Sequence, residues 1–144
     1  MQRLSLLLLT CLLSAVPAFA SGYADLDNAM NAIGRGFGNG DSAAIVAGMD
    51  PSDKVELQFP GLVERSGFFG SDQAGLILDD LFERTAPSGF EQISARKVSS
   101  QKQYHITGSW TIRADGGSSE REVYVILQEK GDGWSIISIR TAGR

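Results

Sequence analysis

The 144-residue chain holds one cysteine, Cys11, and one histidine, His105. No disulfide can form within it, so packing alone must hold the fold, and no Cys/His set exists for a metal. Proline is scarce, at four residues, so few positions force a break in a helix or strand. Positive charge is also short: 13 Lys and Arg stand against 17 Asp and Glu, a net charge of −4. A surface of that sign repels phosphate backbones and argues against a nucleic-acid partner. After the first twenty residues no long apolar run recurs, so no stable membrane insertion is expected.

The first twenty residues read as a signal peptide. Arg3 supplies the positive start, and Leu4 to Leu13 are apolar except for Ser5, Thr10 and Cys11. Pro17 then precedes Ala18-Phe19-Ala20, a small-x-small cleavage site. A competing reading makes Cys11 a lipid-bearing N-terminus, but Thr10 is large for the residue before it and the apolar run is short. Cleavage after Ala20 predicts an exported protein, periplasmic or extracellular. Residues 21–144 then form a single domain without cysteine, with 12 basic residues against 17 acidic.

Apolar residues Leu26, Met30, Ile33 and Phe37 are spaced four, three and four, one face of a helix running from Tyr23 to Phe37. Asn39-Gly40 is its stop, and Asp41 reads as the N-cap of a short helix with Ile45, Val46 and Met49. Val55, Leu57 and Phe59 alternate with polar residues as a strand. A loop follows through Glu64, Arg65 and Gly67, and Ser71 reads as the cap of a third helix. Its inner face is Ala74, Ile77, Leu78, Leu81, Phe82 and Thr85. Four strands then follow, over 90–98, 103–114, 121–130 and 134–141, joined by turns short enough for hairpins. Helices early and a meander late predict an α+β fold, with helices on one face of a curved, mostly antiparallel sheet.

The stretch "IGRGFGNGD" resembles a phosphate loop only in its glycines. No third glycine falls at the spacing a dinucleotide loop needs, no Gly-Lys follows, and the run leaves a helix instead of opening one. No cofactor is expected. Gly40 is explained as a helix stop. Gly34, Gly36 and Gly38 imply either close backbone packing or a loose helix end, which alanine at position 36 would separate.

This order of elements resembles the nuclear transport factor 2-like superfold, a cone in which a curved sheet wraps three helices around a cavity. The likeness rests on Gly40-Asp41 between the first two helices, on "VELQFPG" as the first strand and its exit, and on Gly70-Ser71. More narrowly, "AGLILDDLF", "YHITGSW" and "VYVILQEKGDGWSIISIR" are similar to an exported bacterial family catalogued as domain of unknown function 4783. That resemblance implies a fold and brings no catalytic residue. The isomerase branch of the superfold implies an Asp before the proline that ends the first strand and a Tyr seven residues before the glycine of the Gly-Asp pair. Phe59 and Ile33 stand at those positions here, and neither moves a proton.

The candidate site is therefore a set of cavity-lining aromatics: Phe37, Phe59, Phe82, Tyr104, Trp110 and Tyr124. The alternation Tyr104, Ile106, Gly108, Trp110 puts His105 on the opposite, outer face with Thr107, Ser109, Thr111 and Arg113. Histidine and the carboxylates make no metal set. The leading expectation is a non-enzymatic module that binds a small apolar ligand or a protein partner. The resemblance further implies a homodimer through the outer sheet face. A cavity hydrolase or dehydratase using Tyr104 or Tyr124 with a carboxylate is the alternative, favoured if His105 and Glu56 share one cavity. A purely structural oligomerisation domain is the third.

Overall fold

The computed structural model describes residues 22–114 and 116–142; the predicted signal segment and Cys11 lie outside them. Helix α1 spans Leu26–Asn39 and begins where the Asp25 carboxylate accepts the Asn28 amide at 2.8 Å. It starts three residues later than the spacing predicts because Tyr23 is committed elsewhere. Tyr23 forms a two-bond bridge with Trp134, and its hydroxyl donates to the Ala44 carbonyl at 3.0 Å.

Gly40 ends α1 in the left-handed conformation at φ 69°, where a Cβ would be crowded. Asp41 caps α2 (Ser42–Val46), its side chain accepting from the Ala44 amide. The two helices cross closely at Gly36: a Cβ there would overlap Ile45 Cγ1 and Cδ1, whereas one on Gly34 meets nothing within 4 Å. Close packing, not a loose end, explains Gly36.

Strand β1 (Val55–Gln58) turns back into β2 (Gly67–Phe69), with Val55 opposite Phe69 and Leu57 opposite Gly67. The loop predicted through Gly67 thus ends in a three-residue strand, too short to display an alternation. Helix α3 (Ser71–Thr85) is preceded by Gly70 as its N-cap, and no side chain caps it, in contrast to the role predicted for Ser71. All six residues predicted for its inner face are buried.

Strands β3 (Gly89–Val98), β4 (Gln103–Ala114), β5 (Gly117–Lys130) and β6 (Gly133–Thr141) form the antiparallel meander. β5 begins four residues before the predicted 121, because Gly116 at φ 79° makes the turn tight enough to pair Gly117 with Ala114. The six strands run in the order β2-β1-β6-β5-β4-β3, with β1 parallel to β6. The three helices pack on one face, an α+β arrangement. Between them lies the core, including Ile33, Phe37, Ile45, Leu57, Ile77, Leu81, Trp110 and Ile139, each at most 1% exposed. A side chain of this size contributes about 1.5–3 kcal/mol when fully buried.

Gly36→Ala is expected to lower stability by about 1–3 kcal/mol through overpacking against Ile45. Gly34→Ala should raise it by up to about 1 kcal/mol through helix propensity; urea unfolding of both variants checks the pair. Burial pushes the Tyr23 phenol well above its ordinary pKa, against a smaller downward pull from Arg35. Its proton is thus kept in the fold. The stability this confers is full below pH about 10 and falls above it as the unfolded chain ionises, by about 1.4 kcal/mol per pH unit. Unfolding free energies measured between pH 9 and pH 11 should show that slope, and Tyr23→Phe should reduce it.

Candidate functional site

Three of the six candidate aromatics meet under α1 and α3. Phe37 stacks edge-on to Phe82 (centroids 5.6 Å apart) and to Trp110 (5.2 Å), Phe82 lies 6.0 Å from Trp110, and Phe90 joins at 5.9 Å from Phe37. Phe37 and Trp110 are fully buried and Phe82 is 6% exposed. The Trp110 indole N–H donates to the Phe37 carbonyl at 2.7 Å. That carbonyl belongs to the last turn of α1 and has no partner within the helix. The aromatics predicted to line a cavity at this place instead fill the space and hold it closed.

The other three lie apart. Phe59 is 1% exposed and walls a cleft of about 320 Å³ at the exit of β1, with Pro60, Gly61, Val63 and Glu64. Tyr104 is half-buried and packs edge-on to Trp134 at 5.8 Å. Tyr124 is the correction: it faces away from the helices. Val123, Val125 and Leu127 are the buried residues of β5, and Tyr124 sits between them on the outer face, across from Thr107 and Arg140. Its hydroxyl donates to the Glu122 carboxylate, and that bond raises its pKa.

The outer face is polar and graded in charge. His105, Ile126, Ser138 and Glu56 lie side by side on β4, β5, β6 and β1. His105 Nε2 is 3.0 Å from Gln103 Oε1, and Ser138 Oγ donates to Glu56 at 3.4 Å. His105 and Glu56 therefore share a face, as predicted for His105, but they stand three strand spacings apart, about 14 Å. They form no acid–base pair and point into no enclosed cavity. A groove of about 440 Å³ on this face is lined by Ser94, Arg96, His105, Thr107, Tyr124, Ile126 and Arg140. Farther along the same strands come Glu91 and Glu122, which flank Ser109, and then Glu120 opposite Thr111.

A third concavity, of about 580 Å³, is open and polar. It lies between the end of α1, α3 and β4, lined by Asn39, Asp79, Phe82, Glu83, Ser88 and Arg113. Asp79 accepts the Ser42 hydroxyl and so ties α3 to α2. No group of three or more His, Cys, Asp and Glu suited to a metal occurs among the described residues, and no helix among them is long and apolar enough to cross a membrane.

Two inner-face residues carry no role in the sequence reading. Arg121 has the parity of Val123, Val125 and Leu127 and stands opposite Trp110. Its Nε and the Thr141 hydroxyl are buried without a hydrogen-bond partner among the described residues. The alternation of β5 was the available signal for Arg121: a cation in step with three buried aliphatics.

Three helices on a curved sheet of this order define a nuclear transport factor 2-like fold. A protein of that fold and unknown function from Shewanella oneidensis superposes with a TM-score of 0.59 at 15% identity, covering 81% of this chain and 98% of its own. Within the fold class, the family model named domain of unknown function (DUF4783) matches residues 30–141, and the chain belongs to that family. A DUF4783 family protein from Bacteroides ovatus aligns at 23% identity and TM-score 0.64, over 76% of this chain and 90% of that one. One from Bacteroides uniformis aligns at 15% identity and TM-score 0.66, over 79% and 95%. No curated protein matches the chain.

Trp110→Phe keeps most of the ring packing but strands the Phe37 carbonyl. A loss of about 1–3 kcal/mol is expected in urea unfolding followed by circular dichroism, well above the effect of Tyr104→Phe at the rim.

Proposed function

We propose that this domain is an exported, non-enzymatic binding module that works through the outer face of its sheet and engages a second copy of itself there. The observation that carries the reading is the charge gradient along the strands. Arg96, His105 and Arg140 gather at one end, with Glu56 3.9 Å from Arg140 as a partial offset, and Glu91, Glu122 and Glu120 gather toward the other, with Arg113 beyond Glu120 as a partial offset there. A twofold axis running across the strands sets the basic end of one copy over the acidic end of its partner. An axis along the strands would set like charges together, which costs binding energy.

The filled interior argues against a small apolar ligand held between sheet and helices. Chemistry is disfavoured on the same grounds: Phe59 and Ile33 occupy the two positions where the isomerase branch carries its base and tyrosine. Tyr124 does sit on a carboxylate, but Glu122 makes it a weaker acid and it lies on an open face. Export rests on the pattern of residues 1–20.

Sedimentation velocity at two ionic strengths tests the reading. A dimer is expected at low salt and a weaker one at high salt, since exposed charge pairs are screened. Arg96→Glu with Arg140→Glu should give monomers, and adding Glu120→Arg with Glu122→Arg should restore the dimer. A protein monomeric at every concentration and salt would overturn it.

A further inference from the structure

Three basic side chains on the outer face line one groove, and each comes from a different strand. Arg96 on β3 pairs with His105 on β4, and Arg140 on β6 pairs with Tyr124 on β5. Between them the groove, about 440 Å³ in volume, is lined by Thr107, Tyr124 and Ile126. Neither Arg96 nor His105 joins an ion pair among the described residues, and Arg140 has only Glu56, at 3.9 Å.

The hydrogen bonds around His105 fix what its ring can do. Gln103 Nε2 donates to Gln128 Oε1 at 3.2 Å, which leaves Gln103 Oε1 as the acceptor 3.0 Å from His105 Nε2. The neutral ring therefore gives its one N–H to Gln103 and keeps Nδ1 as an acceptor. Protonation places a second N–H on Nδ1 and adds a charge beside Arg96. The charged groups on the strands around it are Arg96 on β3, Arg140 on β6, Glu56 on β1, and Glu122 on β5, which holds the Tyr124 hydroxyl. With the ring neutral, the arginines are offset by the two carboxylates. With it charged, the groove is net positive.

Donors reaching one groove from three strands can surround an anion. That suits the several oxygens of a tetrahedral oxyanion better than the flat pair of a carboxylate. We propose that Arg96, His105 and Arg140 form a pH-responsive site for a phosphate or sulfate group, free or at the end of a small ester. The site shares the outer face with the proposed self-association but does not rest on it, because one copy supplies all three groups. An oxyanion bound there competes with the acidic end of a second copy.

Sulfate is the first probe, because its charge does not change across the pH range needed, with chloride at matched ionic strength as the control. Thermal melting and titration calorimetry of the whole protein should show saturable binding, several-fold tighter at about pH 5.5 than at about pH 8. Arg96→Gln and Arg140→Gln should each weaken it by about tenfold, and His105→Gln should remove the pH dependence. Lys97→Gln, on the other side of β3 by alternation, should leave binding unchanged. Phenyl phosphate binding more tightly than inorganic phosphate marks an ester as the ligand, and equal binding marks the free ion; both support the site. No response to sulfate beyond that to chloride would overturn the proposal, as would acetate binding as tightly as sulfate. So would a sulfate effect that grows without saturating and persists in both arginine variants, the signature of sulfate exclusion from protein surface. A pH dependence that survives in His105→Gln would overturn it as well. A protein monomeric at every salt concentration sinks self-association alone and leaves sulfate binding as it is.

Discussion

The hydrogen bond from the Trp110 indole to the Phe37 carbonyl is the contact on which the architecture turns. It joins the end of α1 to the middle of β4, residues 73 apart in sequence. It also removes a free carbonyl from the least polar part of the molecule. Around it Phe37, Phe82 and Phe90 stack edge-on or tilted, so α1, α3, β3 and β4 share one aromatic core. Gly36 lets α2 approach from the other side of the same turn, against Ile45. A curved sheet wrapped over helices can enclose a cavity, and here these rings occupy the space.

Filling the inside shifts attention to the two places where polar groups gather. The outer face has its charges spread in order along the strands, and the inner end of β5 has a cation set among hydrophobic residues. The two arrangements differ in their physics. Exposed outer charges are screened and individually weak, so they act together and set orientation more than affinity. Arg121 is half-buried, and only its Nε is shut off from solvent.

Much of the fold was legible in the residues. The inner face of α3 could be read because five apolar positions and Thr85 keep one helical period without interruption, and the meander because turn residues punctuate four long alternating runs. β2 was not legible, since three residues carry no period and only pairing with β1 makes them a strand. Ser71 misled because local chemistry favours a serine cap while Gly70 already supplies the extended residue before the helix. Tyr124 misled because its ring suggested the interior, though the parity of Val123, Val125 and Leu127 points it outward. The candidate site was legible as a set of residues but not as a place: the sequence offers aromatics, and whether they line a space or fill it depends on distances across the core.

The sheet order has a consequence for how the chain folds. β6, the last strand to be made, sits in the interior of the sheet between β5 and β1. The first strand therefore has no parallel partner until β6 is available, and Glu56 must find Ser138 across 82 positions of chain. Contacts of such separation are made late and slowly. A chain of this topology can assemble helices and hairpins as it emerges, but its sheet stays in two unjoined parts until β6 is in place. The order of strands thus acts as a timer, deferring closure of the sheet until β6 is available.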